Sequence, residues 1–257
     1  MLIFGGKSVA VPGLDSVNWR MDRRCPRATD LQPRHFWTRA GVIHTVKGKK
    51  GPLRKGKKPS TRDLTYAQYQ ANTSRDVSWD YTADTDASVA VSNDPVTHFT
   101  WHAGAVNQYT FGVELVQDDD GSTYEDQYTE GFVPLIHAVF DNLGIQKQVP
   151  VDDKGQIILR VIERCRGGRT VVGAYAHCNQ TANKPEGDPG RYAFEYLLRS
   201  GFEGFDLERN EDRDVWMDRQ KALGIPLKDR DGIPGPQTVA ALKGAGYKHG
   251  IWVNGRQ

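Results

Sequence analysis

Two apolar runs, Ala40-Gly41-Val42-Ile43-His44 and Val171-Val172-Gly173-Ala174-Tyr175-Ala176-His177, each end on a histidine. A carboxylate, Asp188, follows the second histidine by eleven residues on an Asp-Pro-Gly turn. Two imidazoles and one carboxylate that leave a fourth position open suit a catalytic zinc ion. Taken singly, each of the seven histidines is better read as a core or surface residue. The combination of two strand-terminal histidines with a turn carboxylate is what points to a metal. A further carboxylate, Glu114, interrupts the otherwise apolar run Phe111–Val116.

These residues need elements to hold them. Alternation over 40–46 predicts a short buried strand with Ala40, Val42 and His44 on one face. Further strands are expected over 77–81 and 87–91, around a polar turn at 84–86, and over 111–116 and 170–177. Helices are expected over 65–72, 124–143 and 191–199. The second carries Phe132, Ile136, Val139, Phe140 and Leu143 at helical spacing and stops at Gly144. Strands interspersed with covering helices argue for an α/β fold: a central mixed sheet covered by helices, with the zinc site at strand ends. Residues 1–38, rich in Pro, Arg and Asp and without a period, read as an arm wrapping that domain. Dense charge at 208–214 marks a boundary, giving a domain over 1–205 and a small helical module over 206–257, whose first helix starts near Val215.

Composition narrows the field. The chain has 257 residues, 38% of them hydrophobic, and 34 Lys and Arg against 32 Asp and Glu, a net charge of +2. That balance excludes a strongly basic nucleic-acid binder. The longest apolar stretch, around 132–140, is too short to span a bilayer, so no membrane insertion is expected. The N-terminal segment has neither the apolar core nor the cleavage site of a secretory signal. Cys25, Cys165 and Cys178 are too few and too irregular for a disulfide framework, so reduced thiols are the default. Charge is concentrated at 47–62, where eight of sixteen residues are Lys or Arg. This is an exposed basic loop, either a solvated connection or an attractor of polyanions.

Four blocks, VIHT at 42–45, VSWDYT at 77–82, TWHAGAVNQYTFGVELV at 100–116 and AHCNQTANKPEGDPG at 176–190, occur in an order that resembles a known family. It is that of the zinc-dependent N-acetylmuramoyl-L-alanine amidases, shared by phage endolysins, cell-wall recycling amidases and peptidoglycan recognition proteins. The resemblance implies that His44, His177 and Asp188 are zinc ligands, Glu114 the acid/base carboxylate and Lys184 the cationic partner. It also implies that Trp101, His102 and Asn107 line the groove for the muramyl-peptide stem, although Trp101 equally suits core packing. The chemistry is coherent. Zinc makes a nucleophile of water near neutral pH, Glu114 can move its proton to the departing nitrogen, and Lys184 can stabilise the oxyanion. Cys178 adjoins His177, but neighbours on a strand point to opposite faces, so Asp188 is the better third ligand; some family members carry cysteine at that position. The chain departs from many phage relatives in having Asp80 where they have histidine, and in the extra residues Pro185, Glu186 and Gly187 before Asp188.

Residues 214–246, above all Asp231-Gly232-Ile233-Pro234-Gly235-Pro236-Gln237-Thr238, resemble a small helical peptidoglycan-binding module. The alternative is a helical tail packed on the catalytic domain. The expected function is hydrolysis of the amide between N-acetylmuramic acid and L-alanine of bacterial peptidoglycan, as in a phage endolysin held in the host cytoplasm until lysis. A non-catalytic peptidoglycan receptor is disfavoured because receptors of this kind commonly lack a metal ligand. A cytosolic recycling amidase would have little use for a wall-binding module.

Overall fold

The computed structural model describes residues 1–14, 16–18, 32–34, 38–47, 62–75, 77–84, 86–117, 125, 127–152, 154–162, 172–181, 183, 184, 188–206, 211–230 and 236–246. In chain order the strands are β1 (Leu2–Phe4), β2 (Lys7–Val9), β3 (Ser16–Asn18), β4 (Gln32–Pro33), β5 (Ala40–Lys47), β6 (Tyr81–Ala83), β7 (Val89–Val91), β8 (His98–Phe99), β9 (Thr110–Gln117), β10 (Gln148–Val151), β11 (Gly173–Ala176) and β12 (Glu203–Asp206). The helices are α1 (Arg62–Asn72), α2 (Val133–Leu143), α3 (His177–Gln180), α4 (Arg191–Arg199), α5 (Glu211–Ala222) and α6 (Pro236–Gly244). The basic stretch singled out at 47–62 lies almost wholly outside the described residues.

Six strands make one sheet in the order β11-β5-β9-β6-β7-β3. Its neighbours are parallel except β6 and β7, so the sheet is mixed, as expected. The two eight-residue strands, β5 and β9, sit side by side and are covered on both faces, which explains their nearly continuous apolar sequence. One face carries Ile43, Phe111, Val113 and Leu115 into the main core. There they meet Phe132, Leu135, Ile136, Val139, Phe140 and Leu143. Ala40 and Val42 face the other way and pack with Val106, Ile158, Ile162 and Tyr175. The alternation read from the sequence is therefore real, and it puts His44 on the face opposite α2.

Several boundaries differ from expectation. The long helix begins as α2 at Val133, preceded by a wider π-type turn over Gln127–Phe132. Its stop is as expected: Gly144 takes a left-handed φ of 63°, and its N–H turns back to Asp141 and Phe140 carbonyls. The strand expected over 77–81 starts only at Tyr81; before it the Val77 N–H turns back to the Arg75 carbonyl and the Ser78 N–H donates to the Trp101 carbonyl. Helix α1 starts at Arg62, before the expected Thr65. The Asp84 carboxylate accepts from the N–H groups of Arg62 and Asp63, a cap supplied from 22 and 21 residues away that no local pattern reveals.

The N-terminal arm is more than a wrap. β1 and β2 form a hairpin whose Leu2 and Phe4 enter the main core, and β3 pairs with β7 at the sheet edge. Each strand has three residues, too few for a period to show. At the other end, α5 and α6 are joined by a hydrogen bond from Gln220 Nε2 to Thr238 Oγ1 at 3.1 Å, and Trp216, Ile225 and Leu242 are buried. Among the described residues no helix is long and apolar enough to cross a membrane.

Candidate metal centre

His44 lies near the C-terminal end of β5, and the parallel register sets it directly opposite Glu114 on β9. β11 flanks β5 on the other side and runs parallel to it. His177 is therefore delivered to the same end of the sheet. It does not end a strand, as the sequence suggested, but opens the short helix α3 immediately after Ala176. The switch has a cause: Asn179 Oδ1 accepts from the Ala176 N–H at 2.8 Å, while its Nδ2 donates to the carbonyls of Ile158 and Arg160. These bonds turn the chain out of the sheet. In a helix, neighbours do not alternate between opposite faces, so strand alternation does not separate Cys178 from His177. Cys178 is nevertheless buried in the main core and is absent from the donor cluster.

The donors His44, His177 and Asp188 come within 4.8 Å of one another. His44 Nδ1 is 2.8 Å from His177 Nδ1, and His177 Nδ1 is 3.3 Å from Asp188 Oδ2. The Thr45 N–H donates to Asp188 Oδ1 at 2.7 Å, and the His177 N–H donates to the Asp188 carbonyl at 3.2 Å. The other carboxylate oxygen is thereby held toward the histidines. Burial, with His177, His102 and Lys184 adding to it, drives the His44 imidazole well below its usual value, so it is neutral with a lone pair to offer. Burial pushes Asp188 upward, but the His177 hydrogen bond and charge, the Thr45 N–H and Lys184 outweigh it and hold the group down as a carboxylate. A neutral imidazole and an ionised carboxylate are the protonation states that ligation needs, and the donor set fits a metal ion.

Glu114 shares the sheet face of His44. Its Oε2 is buried and has no hydrogen-bond partner among the described residues. Burial, reinforced by the Asp188 charge and opposed by Lys184, pushes its carboxyl well above the ordinary range. Lys184 places Nζ 3.4 Å from Asp188 Oδ2 and is 41% exposed in its side chain. It thus stands at the open edge of the cluster, despite the extra residues that separate it from Asp188.

The 101–107 segment divides. Trp101 is 42% exposed and packs edge-on against Phe99 with ring centroids 5.1 Å apart. Asn107 is buried, and its Oδ1 accepts from the N–H groups of His102 and Ala103, so it shapes the loop from inside. His102 Nδ1 lies 3.0 Å from His44 Nε2, and its own Nε2 is 3.1 Å from Thr110 Oγ1. Burial, with His177 and Arg34, takes His102 down to about 3, so it too is neutral. The ring rests on the backbone of Gly112, where an added Cβ would come 2.8 Å from His102 Cγ.

Sequence reasoning passed over Gly112, Thr45 and Thr110. The first had a signal: a glycine inside a strand marks close approach of another group. Asp80, the departure from the phage pattern, has a structural task. Its Oδ2 accepts from the Gly112 N–H at 2.8 Å and from the Thr100 hydroxyl at 3.0 Å, and its backbone N–H donates to the Gly112 carbonyl. It fastens β6 to β9 directly behind the site.

Residues 38–191 match the family described as N-acetylmuramoyl-L-alanine amidase (Amidase_2). Solved structures that resemble the chain include the endolysin N-acetylmuramoyl-L-alanine amidase LysCS from Clostridium intestinale URNW, at 16% identity and a TM-score of 0.45, covering 75% of this chain and 97% of that one. AmpD, as a selenomethionine derivative, matches at 14% identity and a TM-score of 0.43, covering 74% and 95%. The Staphylococcus aureus hydrolase AmiA, in complex with its ligand, matches at 13% identity and a TM-score of 0.42, covering 74% and 82%. No curated protein matches significantly. The family match spans more than half of the chain and takes in His44, Glu114, His177 and Asp188, and on that ground the chain belongs to the N-acetylmuramoyl-L-alanine amidases and is a peptidoglycan amidase.

Proposed function

We propose that the chain is a zinc-dependent, wall-lytic amidase of the endolysin type, with His44, His177 and Asp188 as the ligands. The observation that carries this reading is the convergence of those three donors beside a register-paired Glu114. When bound, zinc acidifies water toward neutrality and polarises the scissile carbonyl. Glu114 takes the proton of the attacking water and passes it to the departing amide nitrogen. Lys184 Nζ, at the exposed edge, steadies the negative charge that develops on the carbonyl oxygen as it becomes tetrahedral. Trp101 offers an exposed ring face to the muramyl-peptide, while Asn107 and His102 shape the loop behind it.

The C-terminal segment, residues 206–257, is read as a module that holds the enzyme on the wall. Support comes from its sequence likeness and from Trp216, Ile225 and Leu242, which are buried and, among the described residues, do not belong to either of the large apolar clusters of the sheet. The 47–62 stretch would add attraction for anionic wall polymers. A phage-type enzyme of this design waits in the host cytoplasm and acts on the wall at lysis. The test is metal analysis of the purified protein together with mass spectrometry of digested sacculi. Stoichiometric zinc and free stem peptides beginning at L-alanine are expected. Cleavage of soluble muropeptides without cleavage of sacculi would assign the chain to recycling.

A further inference from the structure

We propose that His102 is a positioning residue that fixes which nitrogen of His44 is offered to the metal, an inference that rests on the metal reading above. It follows from the direction of a chain of hydrogen bonds. The Val106 carbonyl can only accept, and Thr110 Oγ1 lies 3.0 Å from it, so the single hydroxyl proton of Thr110 goes there. Turning that proton toward His102 would leave two oxygen lone pairs facing each other at the same distance. Thr110 Oγ1 therefore accepts from His102 Nε2–H, at 3.1 Å. A neutral imidazole carries one proton, so His102 Nδ1 is bare. It accepts from His44 Nε2–H at 3.0 Å. His44 is thereby left with its lone pair on Nδ1, the nitrogen that faces His177 at 2.8 Å.

The support is built to hold this arrangement. The His102 ring stands nearly perpendicular to that of His44, with centroids 5.2 Å apart and planes at 83°. Gly112 gives it room, and Asn107 Oδ1 pins its backbone at 3.2 Å. A ligand histidine whose outer nitrogen is held in this way keeps one tautomer and one ring angle, and removing such a partner commonly weakens metal binding about 10- to 100-fold. His102 acts on the reaction through His44 and touches no reacting atom.

The test uses the full chain. In metal-free protein labelled at the histidine ring nitrogens, NMR is expected to find both His44 and His102 protonated at Nε2. His102 protonated at Nδ1 would reverse the chain and overturn the proposal. Zinc affinity, measured by competition with a chelator, should fall about 10- to 100-fold in His102→Ala. His102→Asn sets an amide oxygen where Nδ1 was and should recover most of the loss. A purely structural role would weaken both variants alike, so equal loss overturns the proposal, as does an alanine variant that binds like the wild type. Failure of the wild type to take up zinc would instead defeat the metal reading, and the tautomer measurement would still decide His102.

Discussion

His44 and Glu114 stand opposite each other in register on adjacent parallel strands, β5 and β9. Parallel neighbours at one register point to the same sheet face, so the spacing of a ligand and a proton carrier is set by backbone pairing. Glu114→Gln keeps the shape and removes the titrating oxygen. The variant should bind zinc and melt like the wild type, yet turn over ~10²- to 10⁴-fold more slowly. Near-normal turnover would return Glu114 to a structural role.

Metal removal should be reversible, because the donors are held by backbone contacts such as Thr45 N–H to Asp188 Oδ1. Chelation is expected to abolish hydrolysis and added zinc to restore it. His177→Ala should lose both metal and activity, read by elemental analysis and by release of stem peptide. Full activity in a metal-free preparation would sink the assignment.

Gly112→Ala tests shape at the second ring of contacts. The new methyl would sit 2.8 Å from His102 Cγ, so the ring must leave the position from which it meets His44 Nε2. Overpacking of this kind costs about 1–3 kcal/mol. Weaker zinc binding should accompany the lower unfolding midpoint, and a variant with unchanged affinity would show that His102 can shift without consequence.

Asp80 gives a pH signature. Burial raises its carboxyl to about 6 against an ordinary 3.8, even though Arg34, the Gly112 N–H and the Thr100 hydroxyl pull the other way. The folded chain keeps this proton where the unfolded chain has released it, so its contribution to stability falls as pH rises from about 4 through about 6. Relative to the wild type, Asp80→Asn should therefore gain up to ~3 kcal/mol across that window, measured by denaturant unfolding at several pH values. Parallel curves for the two proteins would contradict the shift.

Deleting residues 206–257 should weaken attachment to sacculi while leaving hydrolysis of soluble muropeptides largely intact, since His44, Glu114, His177 and Asp188 all precede the cut. Tethering raises the local concentration of enzyme at an insoluble substrate and does nothing for a dissolved one. Equal loss on both substrates would make the segment a structural tail that packs through Trp216 and Leu242.

Much of this protein is legible in its sequence because the relevant signals are local. The alternation of Ala40, Val42 and His44, the helical spacing of Phe132 to Leu143 and the Gly144 stop each depend on residues a few positions apart, and each appears in the fold. The donor types of His44, His177 and Asp188 were equally readable. Tertiary structure alone decided what depends on distant partners. Asn179, bonded to residues some twenty positions earlier, turned His177 out of its expected strand and into α3. Asp84 set the start of α1, and Asp80 became the fastening behind Gly112. His102 reached His44 across 58 residues of chain. A hydrogen bond of that span leaves no periodic trace, because its geometry exists only once the sheet has brought strand β5 and the 101–107 segment together.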